Sequence, residues 1–400
     1  MTTLLVCALL AASEAAVGGP QAEPRTVTLR EAVASAAAHP ELTAAIAAER
    51  AASAAVRAAG VPGDAALSLS TYSITARESF SASLPLPLER GARMRAARSG
   101  LVVAERARTE SLALVQRELR AAWFSLAAAE ARSRAGAERV ERAERTLAAV
   151  DLLHEAGRVS RLDRVRASAD AALARSERTT AEETRAAAAS RLALLLGLDA
   201  QGPIATGGVA ARPVAELELA TYLERVQRAS PALLVQGAQV SSAEARLALA
   251  RRLRWPNFAL SAGANWNDPT QPGTDKWIGI GVGIPFGGGA AVAVAAAERD
   301  RQAAVAERER RSILDAAQSA WRMARSARLR FEAVEGEVLP AAREAAELTA
   351  LAYREGRADL FRVLDAERAL TDAALLRTDA WEAWGSAHAD VLKLSGEEEP

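Results

Sequence analysis

Cysteine is all but missing: Cys7 is the single one in 400 residues. One thiol can neither close an intrachain disulfide nor build a cysteine-based metal cluster. Histidine is nearly as scarce, and His39, His154 and His388 have no second histidine or cysteine at ligand spacing. No metal site and no cofactor are therefore expected. Aromatic residues make up only 4% of a chain that is half apolar, with alanine supplying much of that half. Such a composition favours long, closely packed helices over an aromatic-rich globule. Neither sign of charge is in excess, since 50 basic residues face 50 acidic ones. That leaves no basic surface for nucleic acid and no acidic tail. Lysine occurs only at Lys276 and Lys393, and the preponderance of arginine reads as a compositional bias.

Also absent beyond residue 25 is any charge-free apolar run of the ~20 residues that a membrane-spanning helix requires. A membrane crossing, if the chain makes one, has to be made by strands. The short apolar run Leu4 to Leu10, followed by Ala11, Ala12 and Ser13-Glu14-Ala15, fits a secretory signal. Residues 1–24 are read as signal peptide and leader, with cleavage between 15 and 24. Export across an inner membrane follows, and the mature chain would carry no cysteine. A nucleophile elbow, a phosphate loop and a dinucleotide fingerprint are all lacking. Gly287-Gly288-Gly289 follows a strand pattern without the lysine of a phosphate loop, and reads as a hinge. The chain is not expected to be an enzyme.

What is there is a tandem duplication, residues 25–205 and 206–396, with a tail at 397–400. Thr28-Leu29-Arg30-Glu31 leads to His39-Pro40, and Leu217-Glu218-Leu219 leads to Ser230-Pro231, each opening a helix of about 20 residues. These helices stop at Val61-Pro62 and Arg254-Trp255-Pro256, where proline removes a donor and bends the preceding residue away from helical geometry. After Pro256 the residues Phe258, Leu260, Ala262, Ala264 and Trp266 alternate with small or polar ones, a loop follows, and Ile278, Ile280, Val282 and Ile284 alternate with glycines. The spacing predicts a β-hairpin with one apolar face over 257–286. A weaker copy at 64–87 uses Leu67, Leu69 and Thr71, then Phe80, Ala82, Leu84 and Leu86, joined by a turn around Thr75 to Glu78. Trp266 and Trp277 flank the second loop, where aromatics suit a membrane interface.

A helical pattern of about 65 residues follows each hairpin. Ile313, Ala317, Ala320, Ala324, Ala327, Phe331, Val334 and Val338 keep a strict 4-3-4-3 spacing, the seam of a coiled coil. Subtracting 198 lands on Val115, Leu119, Ala122, Leu126, Ala129, Ser133, Gly136 and Val140, and pairs Trp123 with Trp321. Pro340 has no counterpart in the first copy and is expected to kink or break its helix. The long helices turn at Gly157 and Gly356, and return helices of about 35 residues end near Gly197 and Gly396. Four strands cannot close a barrel, and open edges are not tolerated in hydrocarbon. They must join strands of identical subunits, and three protomers give twelve.

The order of elements and the turn motif Gly356-Arg357-Ala358-Asp359-Leu360-Phe361-Arg362-Val363-Leu364-Asp365-Ala366 resemble the TolC-like outer-membrane efflux family over about residues 27 to 396. The first copy keeps Gly157, Ser160, Leu162, Val165 and Ala167 of that motif. The resemblance implies a mainly α fold with a small β part. Long coiled-coil hairpins would form a trimeric α-barrel, and four strands per protomer would enter a shared twelve-stranded barrel. Membrane-facing positions would be Leu67, Leu69, Phe258, Leu260, Trp266, Ile278, Ile280 and Val282. The implied role is a passive exit duct in the outer membrane of a Gram-negative bacterium, most of its mass in the periplasm. Its implied partners are a periplasmic adaptor, an inner-membrane pump of RND or ABC type and outer-membrane lipid. The adaptor would dock at the turns, on Gly157, Arg158, Ser160 and Leu162 and on Gly356, Arg357, Asp359 and Phe361. Asp163, Asp365 and Arg362 are candidates for a narrow aperture. Six residues after the glycine the first copy has Asp163 and the second Arg362, so the acidic pair is not kept. Competing readings are a periplasmic adaptor, which would lack duplicated lipid-facing hairpins, and a structural coiled coil, which leaves the hairpins unexplained.

Overall fold

The computed structural model describes residues 25–61, 66–72, 77–200, 202–207, 217–266, 273–285 and 288–397. The leader, Cys7, loop 267–272 and Gly287 lie outside the described residues. The chain begins with β1 (Arg25–Val27), α1 (Leu29–Ala34), a 3₁₀ turn and α2 (Pro40–Gly60). Strands β2 (Ala66–Tyr72) and β3 (Arg77–Pro85) follow, then α3 (Arg90–Glu155) and α4 (Arg161–Leu195). The same order returns as β4 (Ile204–Thr206), α5 (Leu219–Ala229), α6 (Pro231–Arg252), β5 (Asn257–Trp266), β6 (Asp275–Gly283), α7 (Gly288–Ala333), α8 (Leu339–Arg354) and α9 (Leu360–Ser395). Arg77 and Glu78 of β3 pair with Tyr72 and Thr71, so Glu78 belongs to the strand and not to the turn expected around Thr75 to Glu78; residues 73–76 lie outside the described residues.

Local chemistry explains the boundaries. Thr28 and Glu31 form a reciprocal capping box at α1, each side chain accepting from the other's backbone N–H. Pro40 and Pro231 open α2 and α6, where a missing N–H costs nothing. Gly157, Gly197, Gly356 and Gly396 end α3, α4, α8 and α9 with φ near +70°, a conformation that penalises any Cβ.

The residues fold as two compact units, neither contiguous in sequence. Of the described residues, one unit comprises those within Met1–Ser35, Leu119–Pro213 and Arg328–Gly385, and the other those within Ala36–Glu118, Val214–Ala327 and Ser386–Pro400. In the first, β1 and β4 pair in parallel, and the indole N–H of Trp123 donates to the Val27 carbonyl at 2.9 Å. Phe124 sits edge-on to both Trp123 and Trp381. In the second, Tyr222, Val226, Ala317, Ala320, Trp321, Ala324 and Val391 form one buried cluster, and Trp321 donates to the Leu217 carbonyl at 2.7 Å. The two equivalent tryptophans thus tie down the opening segment of their own copy in the same way. The second unit also holds a four-stranded antiparallel sheet in the order β2-β3-β5-β6.

Seam positions Val115, Leu119, Ala122, Leu126 and Ala129 are buried, as are Ala317, Ala320, Ala324, Phe331 and Val334. Val338 departs from the pattern and is exposed. The cause is a π turn over Val334–Val338, directly before Pro340. The sequence carries the same mark, since Trp321 follows Trp123 by 198 positions whereas Gly356 follows Gly157 by 199. One extra residue entered the second copy, and the wider turn absorbs it. The helix neither ends nor breaks at Pro340. The π turn sits where the proline withholds its N–H from the preceding turn.

Gly385 of α9 tests the tightness of the first unit, because a Cβ there would lie 2.3 Å from the Phe124 ring. Phe124 is itself held between Trp123 and Trp381. Gly385→Ala is expected to destabilise by about 1–3 kcal/mol despite alanine's better helix propensity, read as a lower denaturation midpoint by circular dichroism.

Candidate docking turns and sheet face

Both turns belong to the first unit and have the same construction. Arg158 N–H donates to the Leu153 carbonyl at 2.8 Å and Gly157 N–H to His154 at 2.9 Å. Arg357 N–H donates to Ala352 at 2.8 Å and Gly356 N–H to Tyr353 at 3.0 Å. Each pair of bonds is a Schellman cap, which satisfies the last carbonyls of the helix and reverses the chain within a few residues. Ser160 then caps α4, with Asp163 reciprocating in a capping box. Asp359 occupies the same place before α9 and accepts from the Arg362 N–H at 2.9 Å. Arginine has no acceptor to return, so the second cap is one-sided.

Val150, Ala167, Leu360 and Leu364 form a buried cluster with Leu147, Val159 and Tyr353 packed against it. This cluster brings the two turns together. Around it, Leu152, Leu162, Val165, Leu348 and Phe361 are exposed apolar side chains, Phe361 at 63%. Arg158, Arg357, Arg362 and Asp365 are also exposed. Burial, with the Asp163 charge nearby, pushes the Tyr353 phenol up. The Asp163 carboxylate is engaged by the Ser160 hydroxyl at 2.6 Å.

Further along the same helices lies a charge cluster that sequence reasoning missed. Asp170, 2% exposed, receives Arg139 at 3.1 Å and Arg368 at 2.9 Å, while Arg139 also reaches Glu177 at 2.9 Å. Removing one partner from such a buried set leaves an uncompensated charge. Beside it is a cavity of about 570 Å³ lined by Arg132, Arg139, Leu173, Thr180, Arg368 and Leu375. The available signal was a lone aspartate in the stripe Ala167, Ala171, Ala174 of α4, all buried. Among the described residues no group of three His, Cys, Asp or Glu side chains could hold a metal ion.

In the second unit, cross-strand rows sort the sheet into two faces. One carries Leu69, Phe80, Ala264 and, at the hairpin-loop end, Lys276, then Leu67, Ala82, Ala262 and Ile278, then Leu84, Leu260 and Ile280, then Phe258 and Val282. Its large apolar members are among the most exposed, with Ile278 at 82%, Leu69 at 74% and Ile280 at 72%. Trp266 ends this face and donates to Glu78. Trp277 is on the opposite face, among serines and glycines, and does not share the interface position expected from its place beside the loop. Its parity along β6 puts it out of phase with Ile278.

Residues 222–397 match the family described as outer membrane efflux protein. The matched segment falls on the second copy. No curated protein matches the chain. Solved structures match it nearly end to end. A membrane protein from Pseudomonas aeruginosa is 21% identical with a TM-score of 0.78, covering 92% of this chain and 90% of that one. CusC is 17% identical with a TM-score of 0.77 and 96% coverage of both chains. The outer membrane protein VceC from Vibrio cholerae is 17% identical with a TM-score of 0.75, covering 92% and 96%. At these identities the likeness is one of fold, and it extends the TolC-like, mainly helical architecture with its small β part over the first copy too.

Within this fold, the turn residues named from sequence fall into two groups. Gly157, Ser160, Gly356 and Asp359 shape the caps, whereas Leu162, Phe361, Arg158 and Arg357 present side chains outward. Leu152, Val165 and Leu348 join the outward group and were not singled out from sequence.

Glu367 supplies a pH test of the helices behind the turns. Burial holds its carboxyl above the ordinary value of 4.5, Asp170 adds to this, and Arg142, Arg139 and Arg145 oppose it. A carboxyl raised in the fold binds its proton more tightly there than in the unfolded chain. Stability attributable to it is therefore complete below pH 4.5 and falls as pH climbs to the raised value. Glu367→Gln is expected to raise the thermal midpoint at pH 7, with the gain vanishing towards pH 4 in a pH series of melts.

Proposed function

We propose that the chain is one protomer of an outer-membrane exit duct. The observation that carries this reading is the four-stranded sheet, which exposes an apolar face, bounded at the hairpin-loop end by Lys276 and Glu78, while its two outer strands, β2 and β6, have no partner on their far side among the described residues. Exposed backbone donors and acceptors cost several kcal/mol each in hydrocarbon, so the sheet must close with other copies. Three protomers make a twelve-stranded barrel. β5, of 10 residues, has the length of a tilted membrane strand, about 9–11 residues. Trp255 and Trp266 flank it, in the manner of interfacial aromatics. Among the described residues no helix is long and apolar enough to cross a membrane, which leaves the crossing to strands.

The helices would then form a water-filled tunnel through the periplasm, a passive conduit whose mouth lies at the Gly157 and Gly356 turns. A periplasmic adaptor would dock on the exposed apolar residues there, Leu162 and Phe361 foremost, and link the duct to an inner-membrane pump. Asp365 and Arg362 would line the aperture. Asp163, held by its capping box, would enter it on losing Ser160. The relatives support this reading by their printed descriptions, which speak of transmembrane channel formation for CusC and an outer membrane channel for CmeC of Campylobacter jejuni.

Light scattering on detergent-extracted protein from isolated outer membranes should give three times the mass of one chain, 42.0 kDa less any leader removed. A soluble monomer that needs no detergent overturns the proposal. Ile280→Arg, in the middle of the apolar face, should cost about 2–4 kcal/mol in the membrane and reduce assembled oligomer. Ser81→Arg, on the other face, should be tolerated, both judged by the yield of oligomer in the outer membrane fraction.

A further inference from the structure

The face of the sheet opposite the apolar rows is lined almost wholly by small residues. Its rows run Ser70, Ser79, Asn265 and Asp275, then Ser68, Ser81, Gly263 and Trp277, then Ala66, Ser83, Ser261 and Gly279. Trp277 interrupts this floor, and the floor is shaped to receive it. A Cβ on Gly263 would lie 2.7 Å from the indole ring and 2.7 Å from the Phe80 carbonyl oxygen, and one on Gly279 would lie 3.7 Å from the ring. The ring therefore leans across its neighbouring strand over a glycine, and still leaves 39% of the residue exposed. A tryptophan serving only to fill a core would be covered. A tryptophan anchoring the sheet in lipid would sit on the other face, as Trp266 does.

Asp275 lies one row away on the same face of β6 and is exposed. Two residues along a strand span about 6.6 Å, so a flat cation of that size resting on the indole comes within reach of the carboxylate. Ring faces attract cations through their quadrupole, most strongly for tryptophan.

We propose that Trp277 and Asp275 form a binding station for planar aromatic cations on the inner wall of the duct. This rests on the exit-duct reading, which turns that face inward and repeats the station three times. A twelve-stranded barrel has a backbone diameter of about 24 Å, from strands about 4.8 Å apart and tilted roughly 40°. Three inward indoles are then the bulkiest groups at their level among serine, alanine and glycine. The station selects by ring stacking and charge, weakly enough for cargo to leave.

The test is calorimetric titration of detergent-solubilised full-length protein with methyl viologen, a water-soluble aromatic dication that stays out of the micelle. Wild type should bind it. Trp277→Ala should weaken binding about two- to fivefold, Asp275→Asn should weaken it similarly, and Trp277→Phe should hold most of the affinity. Trp266→Ala, on the lipid-facing side, should change nothing. Each variant is compared at the oligomeric mass of the wild type, with Trp277→Leu, which also lacks a ring face and should weaken binding to the same extent, standing in if the alanine variant fails to assemble. A trimer that does not bind methyl viologen, or binds it equally with Trp277→Ala, overturns this inference while leaving the duct intact. Equal affinity in wild type and Trp277→Phe alongside loss in Trp266→Ala overturns the assignment of the inner face. A wild-type protein that is not trimeric overturns the duct reading itself.

Discussion

Unsatisfied backbone hydrogen bonding along β2 and β6 is the constraint from which the rest follows. A four-stranded sheet that shows isoleucine and leucine on one side and serine and glycine on the other has an apolar face and a polar face, and it has two open edges as well. Water would satisfy those edges, and hydrocarbon would not. On the exit-duct proposal, the alternation along β6, Ile278, Ile280 and Val282 against glycines, fits one part of a closed assembly. The glycine floor then has a second use, since it gives the inner wall room that bulkier residues would fill.

The helices obey a different economy. Alanine at the seam positions lets backbones approach closely, and aromatic residues of the helices stand where long helices meet the short opening segments. Trp123 and Trp321 each spend their indole N–H on a backbone carbonyl of that segment, at Val27 and Leu217. Elsewhere the packing interface is charged. Asp170 between Arg139 and Arg368 joins three helices through one carboxylate, an arrangement that stabilises little overall but specifies which helix faces which.

Much of this was legible in the sequence because the signals are local and periodic. Proline at 40 and 231, glycine at 157 and 356, the alternating strands and the 198-residue offset each state a backbone requirement that tertiary contacts do not override. The misses have equally definite causes. Val338 was assigned to the seam because counting by heptads assumes an unbroken α-helix, and a single extra residue was invisible until the spacing of Gly157 and Gly356 was compared with that of Trp123 and Trp321. Trp277 was grouped with Trp266 because both flank a loop, although strand parity separates their faces. Asp163 and Asp359 stood out as acids in a turn motif, while their backbone caps depend on geometry that spacing alone does not give. Asp170, Arg139 and Arg368 are far apart in the chain, and no periodicity joins them.

The π turn at Val334–Val338 has a bearing on the mechanics of the duplicated arms. It precedes Pro340, so the second arm has a turn of wider backbone and one missing donor within seven positions, while a glycine is common to both arms, Gly136 in the first and Gly336 in the second. The equivalent stretch of the first arm is uninterrupted α-helix. Two arms that descend from one plan, and end in the same Schellman cap, are therefore unequal in stiffness, and bending strain applied at their ends will concentrate in the second.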